Sequence, residues 1–226
     1  MAYRYRRHIT SFITSFSCAA ACLLAPAAAS AQDISQTILP QPGSLHAWFG
    51  YTLAVDGTTL IAGDNQYRPN DGVSCGGAGY GAVDVYKKSG SNWEWRQIFL
   101  HTPGTIESMF GKVVSLKGNV FVTSAEREPN GSIWEAGAFF VYRRATSSAD
   151  FTQLAKKYAP TPTAGARFTM MGGLATNGTY IAAADSPSTS FNIYVYQIVG
   201  SSVNHVSTIT PPTGVVGQRL FITDQN

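Results

Sequence analysis

Charge is scarce in this sequence. Of its 226 residues 16 are Lys or Arg and 13 are Asp or Glu, 13% together, about half the usual share. With 44% hydrophobic residues alongside, so few charges argue against intrinsic disorder. Cysteine is also scarce, at three, which excludes a dense disulfide framework. No stretch sustains a helical hydrophobic period, which argues against a helical bundle. Catalytic signatures are missing: there is no Gly-x-Ser-x-Gly elbow, no His-Glu-x-x-His pair and no glycine loop opening a helix. Gly76-Gly77-Ala78-Gly79-Tyr80-Gly81 is glycine-rich but precedes a strand, so it reads as a loop.

The first residues account for the net charge of +3. Arg4, Arg6 and Arg7 are followed by a mostly apolar run over 9–29 and by Ala29-Ser30-Ala31. A basic start, an apolar stretch and an A-x-A site predict a secretory signal peptide over 1–31. A polar linker over 32–44 follows. The protein is therefore expected to be secreted, periplasmic or on the cell surface, with no membrane association after cleavage. Without the three arginines, basic and acidic residues balance, and the charge no longer suggests nucleic acid as a partner. Cys18 and Cys22 leave with the leader. Cys75, in the glycine-rich loop 72–81, remains as a lone thiol.

The rest of the chain repeats itself. Trp48-Phe49-Gly50, Met109-Phe110-Gly111 and Arg167-Phe168-Thr169 each open a strand-like run. Asp56-Gly57, Gly118-Asn119 and Asn177-Gly178 each punctuate it, and a second run ends in Asp64, Glu126 and Asp185. Gly81-Ala82-Val83-Asp84-Val85-Tyr86 then matches Gly137-Ala138-Phe139-Phe140-Val141-Tyr142, with Asn192-Ile193-Tyr194-Val195-Tyr196 as a weaker third copy. Runs of Val, Ile, Tyr and Phe between Gly, Asn and Asp clusters read as strands and turns. Asp56-Gly57 and Asn177-Gly178 suit two-residue hairpins of type I′. Four strands per unit in tandem predict an all-β, β-propeller-like fold. The units span about 45–101, 106–160 and 165–210, with a partial fourth over 215–226 in which Gly217 to Asp224 echoes the second strand.

These motifs resemble the FG-GAP repeat, the unit of integrin α-like propellers and of exported bacterial proteins. The resemblance covers about residues 45–210. It implies a β-propeller that binds or adheres to a protein or glycan partner and is not an enzyme. Calcium-binding members carry an Asp-x-Asp-x-Asp-Gly-like loop, because a hard cation needs several converging oxygens. Residues 64–72 carry acids at their ends with Arg68 between, and the second loop begins Glu126-Arg127-Glu128. No metal and no cofactor are expected.

Asp64, Glu126 and Asp185 are the candidate ligand-binding residues, since a ring of carboxylates on one face would bind a cation, an amine or sugar hydroxyls. The competing role is turn capping by accepting backbone N–H groups. Lys87-Lys88, Arg143-Arg144 and Lys156-Lys157 read as solvated turn charges. Trp48, Trp93, Trp95 and Trp134 are candidates for stacking on sugars or for packing between blades. The alternatives to a binding module are a carbohydrate-active enzyme or its sugar-binding accessory, and a structural piece that only assembles. Three and a fraction blades leave apolar faces uncovered, so either a truncated reading frame or self-association completing the propeller is expected.

Overall fold

The computed structural model describes residues 36–40, 48–68, 80–101, 108–185, 192–212 and 220–222. The expected leader, Cys75, Asp224 and most of the expected partial fourth unit lie outside them. Residues Ile38–Asn226 form one compact unit, which holds every strand found among the described residues.

That unit is all-β, and its described residues form three four-stranded antiparallel sheets, or blades. Blade 1 comprises β1 (Thr52–Asp56), β2 (Thr59–Asp64), β3 (Ala82–Ser89) and β4 (Asn92–Leu100). Blade 2 comprises β5 (Phe110–Lys117), β6 (Val120–Ala125), β7 (Ala138–Arg143) and β8 (Thr152–Tyr158). Blade 3 comprises β9 (Leu174–Thr176), β10 (Tyr180–Ala184), β11 (Ile193–Val199) and β12 (Ser202–Ile209). Each sheet follows chain order from its first strand to its fourth. Strands β1, β5 and β9 lie side by side on the inner edge, the arrangement of an incomplete propeller.

The hairpins differ in detail from the sequence expectation. Asp56 pairs with Thr59, so the turn residues are Gly57 and Thr58. Gly57 has φ +57° while Thr58 is not left-handed. That is the glycine-first pattern of a type II′ turn, not the type I′ expected from Asp56-Gly57. The Asn177 turn is longer, and its Oδ1 accepts the N–H groups of Thr179 and Tyr180 at 3.1 and 2.7 Å.

Two cores seal the joints between blades. Ile61, Val83 and Val85 of blade 1 pack on Val114, Phe121 and Tyr142 of blade 2, where the Phe121 and Tyr142 rings stack with centroids 4.6 Å apart. Val122, Phe139 and Val141 on the other face of blade 2 pack on Ile181, Tyr194 and Tyr196 of blade 3. Alternation along each strand sends successive residues to opposite faces, so one blade serves both cores.

The repeat motifs meet at these joints. Gly81 bridges Phe110 in parallel, so the Gly-Ala of one blade lies against the Phe-Gly of the next. A β-carbon on Gly111 would stand 2.2 Å from the Ala82 carbonyl oxygen. Close backbone approach at positive φ is what these glycines permit. At the next joint Thr169 replaces the glycine with φ +71°, and its hydroxyl donates to the Ala138 carbonyl at 3.3 Å.

Candidate functional site

A groove of about 700 Å³ is lined by residues of β1, β5 and β9 and by Leu220–Ile222. Tyr51, Thr52, Lys112, Ser115, Lys117 and Thr176 give it hydroxyl and ammonium groups. Some of these are already engaged. Thr52 Oγ1 donates to the Gly111 carbonyl at 3.2 Å, and Ser115 Oγ accepts the Thr176 N–H at 3.1 Å. Lys112 Nζ donates to Glu126 Oε1 at 2.7 Å.

Tyr51 lines this groove, and Trp48 packs beside it. Trp48 and Tyr51 are both about half exposed, with ring centroids 5.4 Å apart. The turn between them is fixed, because the Tyr51 N–H donates to the Trp48 carbonyl at 3.1 Å. The other tryptophans divide. Trp93 packs on the outer core of blade 1, Trp95 donates its indole N–H to Asp84 Oδ1 at 2.9 Å, and Trp134 is 61% exposed.

The three candidate acids occupy related but not identical places. Counted from Leu60, Phe121 and Ile181, which pair with the equivalent tyrosines Tyr86, Tyr142 and Tyr196, Asp64 and Asp185 stand four residues on and Glu126 five. Asp64 is fully buried, and its Oδ1 accepts the N–H groups of Trp48 and Gln66, both at 3.3 Å. Asp64 thus anchors the turn that presents Trp48. Glu126 is buried against Lys112, and its Oε2 meets no hydrogen-bond partner among the described residues. Asp185 Oδ2 accepts from the Tyr194 hydroxyl at 3.1 Å and from Asn192 Nδ2 at 3.5 Å. Burial pushes the Asp185 carboxyl up, against the opposing pull of those hydrogen bonds. Each acid is held within its own blade. Among the described residues no three His, Cys, Asp or Glu side chains gather into a metal-binding group.

A second ionic cluster lies where the end of blade 1 meets blade 2. His101 Nε2 lies 2.5 Å from Glu128 Oε2, and Lys156 Nζ donates to Glu128 Oε1. Burial alone would raise the Glu128 carboxyl, but the hydrogen bonds from His101 and Lys156 outweigh it and hold the group below its ordinary value. Lys156 is shifted upward in turn, Glu128 and Tyr158 overcoming its burial. The aromatic walls are Phe110 and Phe140 around His101 and Phe140 and Tyr158 around Lys156.

Two of the paired basic residues are not solvated turn charges. Arg144 is buried. It donates to Asn119 Oδ1 at 3.0 Å, to Thr59 Oγ1 at 2.9 Å and to the Gly118 carbonyl at 2.9 Å, with its guanidinium 4.6 Å above the Phe151 ring. Lys156 is committed to Glu128. The planar guanidinium reaches across a blade joint because carbonyl and hydroxyl acceptors converge there. Lys87 and Arg143, one residue after the equivalent tyrosines, each donate to a carbonyl in a turn of the next blade, Ser147 and Gly200.

No protein-family profile matches the chain, and no curated protein sequence matches it. Among the described residues no helix is long and apolar enough to cross a membrane.

Proposed function

We propose that this chain is an exported, FG-GAP-like binding module that is non-catalytic and engages its partner at the groove along β1, β5 and β9. The observation that carries the reading is the Trp48–Tyr51 pair, exposed beside a groove with hydroxyl and ammonium groups. Binding clefts combine an apolar platform with a few placed polar groups, and exposed Trp and Tyr supply large contact area at low entropic cost.

Of the protein and glycan partners, a glycan is favoured. A pyranose ring presents an apolar C–H face to an aromatic ring and directs its hydroxyls outward, toward groups such as Lys117 and the Tyr51 hydroxyl. The buried acids favour binding over catalysis, because Asp64, Glu126, Glu128 and Asp185 are each occupied by internal partners and not presented as a pair across the groove. Glycoside hydrolysis needs two carboxyl groups flanking the scissile bond.

A glycan array probed with the purified chain, together with a polysaccharide hydrolysis panel, tests this. The expected result is retention of a defined glycan, weakened at least tenfold by Trp48→Ala or Tyr51→Ala, with no sugar release. Sugar release would instead establish the carbohydrate-active alternative. Absence of glycan binding with retention of a protein partner through the same two residues would reassign the ligand class.

A further inference from the structure

Blade 1 bears on its outward face the joint that blades 2 and 3 have closed. In blade 2, Val114 is 8% exposed beneath blade 1. The residue in the same place on blade 1 is Leu53, which pairs with Ala62 on that face, and it is 60% exposed. Val55, beside it, is 57% exposed. Gly50 completes the pattern. It holds φ +78° like Gly111 at +86°. Gly111 closes on the Ala82 carbonyl, whereas no described residue lies within 4 Å of a β-carbon built on Gly50.

Part of that face is nevertheless covered, and by a meaningful piece of chain. The Tyr196 hydroxyl of blade 3 donates to the carbonyl of Tyr158, the last residue of the outermost strand of blade 2, at 3.0 Å. Tyr86 is the equivalent tyrosine of blade 1, and its hydroxyl donates to the Leu39 carbonyl at 2.8 Å. Leu39 precedes Phe49 by ten residues, as Tyr158 precedes Phe168 and Leu100 precedes Phe110. Ile38 packs with Leu60, Ala62 and Tyr86 on the same face. Residues 38–40 therefore sit where the outermost strand of a preceding blade would end.

We propose that residues 38–40 are the outermost strand of a composite blade, and that the bare part of this face binds a further unit of the same repeat made of three antiparallel strands. The partner is specified by the closed joints. Ala82 pairs with Leu100 and Ala138 with Tyr158, so the partner's third strand opens on Gly-Ala, with the alanine opposite Leu39 and the glycine against Phe49-Gly50. It lacks a fourth strand, because Leu39 occupies that place. Blade 3 of a second copy does not meet these terms. It carries its own fourth strand, β12, and the sequence has Phe191-Asn192 where Gly81-Ala82 and Gly137-Ala138 stand. The proposal is independent of what the groove binds.

The test mixes the full chain with a synthetic polypeptide of residues 108–144, whose β5, β6 and β7 carry the required pattern. Sedimentation and amide exchange at Ile38 and Leu39 are followed. The expected result is a one-to-one complex at micromolar concentration in which exchange at Ile38 and Leu39 slows by about tenfold or more. Leu53→Lys in the chain, at a site already exposed, abolishes it, and so does Gly137→Val in the polypeptide. No complex at these concentrations overturns the proposal. So does a complex that survives both substitutions, or self-association of the chain alone through Leu53.

Discussion

Gly81 and Phe110 touch so closely that a β-carbon on the glycine would stand 2.0 Å from the phenylalanine carbonyl oxygen. The contact joins the Gly-Ala of one blade to the Phe-Gly of the next, and Gly81 also holds φ +92°. Steric overlap with backbone and a left-handed conformation act together here. Gly81→Ala is expected to destabilise the fold by about 4 kcal/mol or more, in the range reserved for such double faults. Gly50→Ala meets only the conformational term, about 1 kcal/mol. Urea denaturation of the two variants checks the contrast, and equal losses would remove the steric part of the account.

Arg144 is expected to be indispensable to the first joint. Arg144→Ala leaves Thr59, Asn119 and the Gly118 carbonyl without a shared donor, for a loss of about 3 kcal/mol. Arg144→Lys should recover little of it, since a point-like ammonium cannot reach three acceptors in separate directions. Thermal denaturation of both variants measures this.

Glu128 predicts a specific acid sensitivity. Its folded-state carboxyl lies below the unfolded value, so its contribution is present above the unfolded value and is lost as pH falls through the folded one. Glu128→Gln should destabilise the protein by about 3 kcal/mol at neutral pH. The gap to the parent should narrow steadily in acid, as stability–pH curves of the two proteins would record. A gap independent of pH would contradict the ionic role.

Asp185 predicts the opposite slope. Its carboxyl is raised in the folded state, so the folded protein holds that proton more tightly than the unfolded chain. Its contribution is full below the unfolded value and lost as pH rises through the folded one. Asp185→Asn, which can still accept from Tyr194, should therefore be at least as stable as the parent at neutral pH. Denaturation at neutral and acidic pH checks the sign.

Much of the architecture is legible in the residues. The Phe-Gly and Gly-Ala recurrences mark the two sides of each joint, and alternation in Val83-Asp84-Val85 or Phe139-Phe140-Val141 reflects strands buried on both faces. The site is legible only in part. Asp64 was recognisable as either ligand or cap, and its acceptance of two backbone N–H groups identifies it as an anchor for the Trp48 turn. The displacement of Glu126 by one residue from the place of Asp64 and Asp185 depends on pairing register, which a recurrence of acids does not carry. The cluster of His101, Glu128 and Lys156 gathers residues from three separate segments, so no spacing announces it. The burial of Arg144 likewise depends on Thr59 of the preceding blade meeting Gly118 and Asn119 of its own, and the outer-strand role of Leu39 rests on the Tyr86 hydroxyl that reaches it.

The most direct test of the binding account is amide exchange mapped on the inner strands with and without the glycan retained on the array. Slowed exchange at Tyr51 and Thr52, across β5 and along β9, lost together with affinity in Trp48→Ala/Tyr51→Ala, is the predicted result. Tight binding that leaves these amides unchanged, or that survives the double substitution, would contradict it.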